Sequence, residues 1–160
     1  MSINIRRSNE DDLSFIKNLI IENFEFFVSP LRNYLEEEIK TCKKNFCNEL
    51  KEKLEKEDMI CFLAEELPEK NPLGFCLLEN NKDFLTGHEE LYINNIIVEK
   101  KAMGKRVSNR LVDRIEEYAG EIGVPLLSGD ITVANRRSML FAIRTFKHSP
   151  EKVDMLKYLA

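Results

Sequence analysis

The segment from Leu91 to Ala134 constrains the fold of this chain more than any other. "LYINNIIVEK" is a strand-length apolar run and "KAMGKRV" is a basic loop with a lone glycine. From about Ser108 to Ile122 an amphipathic helix follows, with Leu111, Val112, Ile115 and Tyr118 on its buried side. Gly123 and Pro125 end that helix, and "PLLSGDITVA" reads as the next strand. Two strands joined by a helix-length crossover run parallel, through a right-handed connection. The chain therefore needs a sheet with a helix laid across one face.

The flanking sequence fills in the rest. A short strand "INIRR" comes first, and Ser8 to Asp11 fits a capping-box start. Leu13, Ile16, Ile20, Phe24 and Phe27 then recur at helical spacing until Ser29-Pro30 breaks the pattern. A longer helix carries Leu35, Ile39, Cys42, Phe46, Leu50 and Leu54 on one stripe, with "LEEEIK" as a solvated face. "MICFLAEEL" and "PLGFCLLEN", separated by the turn-rich "PEKN", predict an antiparallel hairpin. After the crossover come a short helix, "NRRSMLFAIRTFK", and a final strand, "KVDMLKYLA". The predicted fold is α/β (α+β), a mixed, mostly antiparallel sheet flanked by helices in three layers. A chain of 160 residues without a linker or repeat is expected to form one domain over residues 1–160.

Composition excludes several classes. The net charge of −4 lacks the basic footprint of a general nucleic-acid binder, so a nucleic-acid partner is not expected, although Lys100 to Arg114 forms a local basic patch. Cys42, Cys47, Cys61 and Cys76 form no CxxC pair and lie near no histidine cluster; they read as free thiols in a reducing cytoplasm, and no metal is expected. The start "MSINIRRSNEDD" has no apolar signal core and no later run is long enough to span a membrane, which predicts a soluble cytoplasmic protein. A homodimer through sheet edges or helices is compatible with this pattern.

The element order, together with "YINNIIVEKKAMGKRVSNRLVDRIEEYAGEIGV", resembles the GNAT superfamily of acetyl-CoA-dependent N-acetyltransferases over essentially the full chain. Members carry a strand, a pyrophosphate loop of the form [Q/R]-x-x-G-x-[G/A], and a helix. The resemblance implies that acetyl-CoA is the co-substrate and that Ile97 and Val98 face its pantetheine and acetyl arm. It further implies that Met103, Gly104, Lys105, Arg106, Val107 and Ser108 form the phosphate-binding loop. Met103 stands at the usual glutamine or arginine, Arg106 at the central glycine and Ser108 at the final small residue. An arginine there either obstructs close backbone approach to a phosphate or adds a charge-assisted hydrogen bond; Lys105 and Lys101 add positive charge.

A second landmark, N-x-x-A-x-x-x-Y followed by G-F, is represented by "NRRSMLFAIRTF". Asn135 takes the asparagine position and Ser138 the small one, and both are expected at the coenzyme. The tyrosine that commonly protonates the departing thiolate falls on Ala142 in one register and on Phe141 in the other, and neither has a phenol. Ser138, Tyr158, His148 or water are the substitutes; His148, beside Ser149-Pro150, reads first as a turn residue.

Acetyl transfer to an amine needs a proton acceptor and a donor to the developing oxyanion. The Val98 N–H is the candidate donor. Glu89, Glu90, Glu99 and Asp130 are candidate acceptors, with Glu99 nearest the strand end, and Asn135 completes the catalytic set. Asn94 and Asn95 interrupt an apolar strand; alternation turns neighbouring side chains to opposite faces, so one of them is expected in an acceptor cleft. Phe26, Phe27 and Tyr34 are candidates for its wall. The resemblance thus implies an N-acetyltransferase acting on a primary amine. The rival is a catalytically degenerate GNAT-fold binding or regulatory protein, marked by Met103, Arg106 and the missing phenol.

Overall fold

The computed structural model describes residues 2–83, 86–151 and 155. Five strands are found among them: β1 (Ser2–Arg7), β2 (Ile60–Leu67), β3 (Asn71–Lys82), β4 (Glu89–Val98) and β5 (Leu127–Ser128). The helices are α1 (Leu13–Glu22), α2 (Glu36–Glu55), α3 (Val107–Ile122) and α4 (Arg136–Arg144). The strands lie in sequence order across a mixed sheet, antiparallel except for the parallel β4–β5 pair that flanks the α3 crossover. The closing strand expected from "KVDMLKYLA" falls, Met155 apart, outside the described residues.

Helices cover both faces of the sheet, which is why β2 and β3 carry unbroken apolar runs, over residues 60–64 and 72–78, rather than alternating ones. Ile60, Phe62 and Ala64 join the core beneath α3, whereas Cys61 and Leu63 join the one beneath α1 and α2. Val107, Leu111, Val112, Ile115 and Ala119 are the buried stripe of α3. Left-handed Gly123 (φ 71°) closes that helix.

Three local expectations are corrected. The capping box sits one residue later than predicted: the Asn9 N–H donates to Asp12 Oδ2 at 2.8 Å, and the Asp11 N–H donates to Asn9 Oδ1 at 3.0 Å. The first helix ends at Glu22 rather than near Ser29, because the Asn23 side-chain amide donates to the Leu19 carbonyl at 2.8 Å and Phe24–Phe26 tightens into a 3-10 turn. The stripe of α2 is only partly used: Leu50 is buried, but Leu35 is 68% exposed and Cys42 is exposed.

One polar cluster ties β1 to β2 and to the start of α1. Glu65 is only 2% exposed, and its carboxylate accepts from Asn4 Nδ2 at 2.9 Å and from Arg6 Nε at 2.8 Å. The same guanidinium grips Asp12 through Nη1 at 2.7 Å and Nη2 at 2.9 Å. Burial pushes both carboxyls up, but hydrogen bonds from Arg6 and from Asn9 (to Asp12) or Asn4 (to Glu65) outweigh it and hold both below the usual carboxylate range.

Candidate active site

The β4–β5 ladder stops early, and this opens the site. Only Leu91–Leu127 and Tyr92–Ser128 pair. Just beyond them, β4 bulges against β3: Leu77 faces Asn95 and Leu78 faces Ile93, leaving Asn94 as the extra residue. A bulge adds local twist and ends regular pairing, so β5 is two residues long rather than the ten of "PLLSGDITVA". The strands part into a cavity of about 600 Å³ that reaches from the α1–α2 connection to the first turn of α3.

The bulge also decides where the two asparagines go. Ile93, Ile96 and Val98 pack beneath α3, whereas Ile97 packs beneath α1 and α2. Counting forward from Ile93 and back from Ile97 puts Asn94 and Asn95 on the same face. Both line the cavity, not one alone as strict alternation requires, and the Asn94 Nδ2 is buried without a hydrogen-bond partner.

Backbone polarity along β4 follows from one bond. The Glu99 N–H donates to the Leu73 carbonyl at 2.9 Å, in register with the pairs Gly74–Val98 and Phe75–Ile97. Since N–H groups alternate sides along an antiparallel strand, those of Ile96 and Val98 point away from β3, into the gap that β5 has vacated. Gly74 keeps this end of β4 close: a Cβ there would lie 2.6 Å from the Ile97 carbonyl oxygen and 3.0 Å from Val98 Cα. Gly74→Ala should therefore push β4 outward at Val98 and cost about 1–3 kcal/mol. A lowered thermal midpoint is the expected result; an unchanged midpoint would show that β4 yields freely.

At the far end, Gly104 (φ 79°) and Arg106 (φ 60°) are both left-handed. Arg106 thus takes the backbone geometry for which glycine is the usual choice. Left-handed and helical residues in succession make N–H groups converge on an anion-sized hollow, and the first turn of α3 leaves its own N–H groups without intrahelical acceptors. Met103, Gly104, Val107 and Ser108 line the cavity; Lys105 and Arg106 are exposed and lie outside its wall. Arg137 was not singled out from sequence, yet its Nη1 donates to Met103 Sδ at 3.3 Å and it lines the same cavity. Its neighbour-but-one Asn135 was the only legible signal.

The remaining expected residues divide. Ile97, Val98, Asn135 and Ser138 all line the cavity, with Asn135 Oδ1 accepting the Ser138 N–H at 3.2 Å as the cap of α4. Glu99 does not line it; its Oε2 lies 2.7 Å from Lys101 Nζ, close for an ion pair but off the geometry of a hydrogen bond. Glu89 pairs with Lys82 at 3.3 Å at the opposite end of β4. Asp130 is the one candidate carboxylate in the wall, where it accepts from the Tyr92 hydroxyl at 3.1 Å; burial and then the Asp130 charge push that phenol up to about 12. Phe26 and Phe27 line the cavity and Tyr34 does not. The Thr132 hydroxyl donates to the Phe26 carbonyl at 3.1 Å, pinning the aromatic wall to the β5–α4 loop. His148 also lines the cavity, its ring stacked on Phe146 at 4.8 Å, its Nε2 buried and unpartnered, and its pKa lowered by burial. Phe141 and Ala142 are in the wall, so both registers for the absent phenol reach the cavity.

A splayed sheet with outward-facing N–H groups on one strand and an anion hollow at the following helix is the apparatus of an acyltransferase. Residues 16–146 match the Acetyltransferase (GNAT) family, and the chain belongs to that family. A putative acetyl transferase from Pyrococcus furiosus superposes with a TM-score of 0.78 at 21% identity, covering 99% of this chain and 100% of that one. A predicted acetyltransferase from Clostridium acetobutylicum, solved with acetyl-CoA, gives 0.67 at 16% identity, with 97% and 96% covered. An aminoglycoside antibiotic 6'-N-acetyltransferase from Acinetobacter baumannii gives 0.70 at 14% identity, with 99% of each chain covered. No curated protein sequence matches significantly. Among the described residues, no helix is long and apolar enough to cross a membrane and no cluster of His, Cys, Asp and Glu is placed to hold a metal.

Proposed function

We propose that this protein is an N-acetyltransferase that uses acetyl-CoA and acetylates a primary amine by direct attack. The observation that carries the reading is the gap between β4 and β5, into which the Val98 N–H points without a ladder partner. The residues present fit the coenzyme: a hollow of left-handed backbone for a phosphate, an orphaned Asn94 amide, and strand edges for an extended arm. When bound, acetyl-CoA supplies an activated acetyl thioester. In the overall exchange the amine nitrogen bonds to the acetyl carbon, the carbon–sulfur bond breaks, the amine releases a proton and CoA leaves as its thiol.

The chain's own groups divide the work. Ile96 and Val98 present N–H groups along the arm, and that of Val98 stabilises charge on the acetyl oxygen. The first turn of α3 takes the pyrophosphate. Arg137 stands in for the missing loop arginine, since its guanidinium lies beside Met103. In this reading Asp130 orients or deprotonates the amine, and a neutral His148 N–H hydrogen-bonds the departing sulfur where the phenol is missing.

Calorimetric titration with CoA and acetyl-CoA tests the reading. Arg137→Glu should weaken binding about tenfold by setting a like charge beside the phosphates, and Arg106→Glu should weaken it less, because Arg106 lies outside the cavity wall. An unaltered protein that binds neither ligand at millimolar concentration would overturn the proposal. Binding without turnover of any amine would favour the non-catalytic rival, to which the loss of the phenol at Phe141 and Ala142 already points.

A further inference from the structure

Resting on the acetyl-transfer reading, we infer that the acceptor is an amine with a single positive charge on a compact apolar body, not a polycation. The acceptor half of the cavity is bounded by Phe24, Phe26, Phe27, Phe46 and Ile20. Facing them across the gap are two neutral carboxamides, Asn94 and Asn95, and one carboxylate, Asp130.

Charge decides the class. Asp130 is the only acid in the wall among the described residues, and it already accepts a hydrogen bond from Tyr92 at 3.1 Å. One ammonium group satisfies it. Of the other charged or titratable residues of the wall, Arg137 is a cation beside the loop at Met103, and His148, whose pKa burial lowers, brings no negative charge to balance a second ammonium group. A second cation, Lys43, is outside the lining but sits over the ring of the wall residue Phe24 at 5.3 Å, so a second positive charge on the ligand would meet repulsion on that side. The acidic run Glu36–Glu38, which would suit a polycation, opens α2 and lies outside this cavity.

Shape agrees with charge. Phe26 and Phe27 are 49% and 39% exposed, unusually open for phenylalanines, and they edge the cavity where an apolar group would cover them.

The experiment reads binding of amine and of CoA separately. Saturation-transfer NMR on the protein with CoA present would compare phenethylamine with spermidine. Phenethylamine is expected to bind about tenfold more tightly and to lose about that factor in Phe27→Ala and in Asp130→Asn, while the CoA affinity of Phe27→Ala is unchanged. Phe26→Ala supplies an independent reading should Phe27→Ala fold poorly. Tighter binding of spermidine, or phenethylamine binding that neither phenylalanine variant alters, overturns the inference. Failure to bind CoA would instead count against the acetyl-transfer reading, because amine binding is read without turnover.

Discussion

Replacing Val98 by proline should lower kcat by about 10²–10³ while leaving the CoA dissociation constant within about tenfold of its starting value. The substitution is unusually clean at this position. Proline inside a sheet normally removes a ladder hydrogen bond, but Val98 forms a non-hydrogen-bonded pair with Gly74, and its N–H faces the cleft. Its preceding residue, Ile97, already lies in extended β4, as a residue before proline prefers. On the proposed acetyl-transfer reading, the loss therefore falls on the donor to the developing charge rather than on the fold. Val98→Ala keeps the N–H and should retain most of the activity. A folded proline variant with unchanged kcat would place the oxyanion donor elsewhere, with the Ile96 N–H on the same side of β4 as the next candidate.

The crossover unit was legible because its physics is local. A helix-length amphipathic stripe between two apolar runs admits essentially one connection, and α3 spans Val107–Ile122 against an expected Ser108 to Ile122. The β2–β3 hairpin was legible for a similar reason, with turn residues between β-rich runs. What the sequence concealed was mostly the effect of single side chains on the backbone. Asn23 stops α1 by bonding back to Leu19, although the apolar spacing continues through Phe27. The capping box slid from Ser8 to Asn9 because Asp12, not Asp11, is held by Arg6.

The site divides along the same line. Ile97, Val98, Met103, Gly104, Ser108, Asn135 and Ser138 could be placed from motif order, and all reach the cavity. The bulge at Asn94 could not be foreseen, since it depends on register with Leu77 and Leu78 on another strand. It is also what puts both asparagines on one face and frees the edge of β4. Glu99 and Arg137 show the limit of spacing from opposite sides. Glu99 follows Val98 in the chain but turns to Lys101, whereas Arg137, distant in sequence, arrives beside Met103 through the packing of α4.

Arg6→Met should cost about 3 kcal/mol of folding stability and lower the thermal midpoint by roughly 6–12 °C. The guanidinium serves two acids at once, and Glu65, 2% exposed, has no water to turn to when Arg6 is removed. Breaking such a cluster leaves uncompensated charge in place, the costly case for buried ion pairs. The Arg6 side chain is itself 32% exposed, which keeps the expected loss at the low end of that range. The pH dependence is a second, independent reading. Asp12 and Glu65 titrate lower in the folded chain than their ordinary values of 3.8 and 4.5, so their stabilisation is complete above those values and lost as the pH falls through the folded ones. The unaltered protein should weaken steeply below about pH 4.5. In Arg6→Met, burial without the guanidinium should raise both carboxyls instead, so mild acidification neutralises them and the gap between the two proteins narrows. Urea unfolding of both proteins between pH 4 and pH 7 reads both effects. A loss below about 1 kcal/mol, with parallel pH profiles, would mean that the cluster behaves as an ordinary surface ion pair and that β1 is held to β2 by its ladder and apolar face alone.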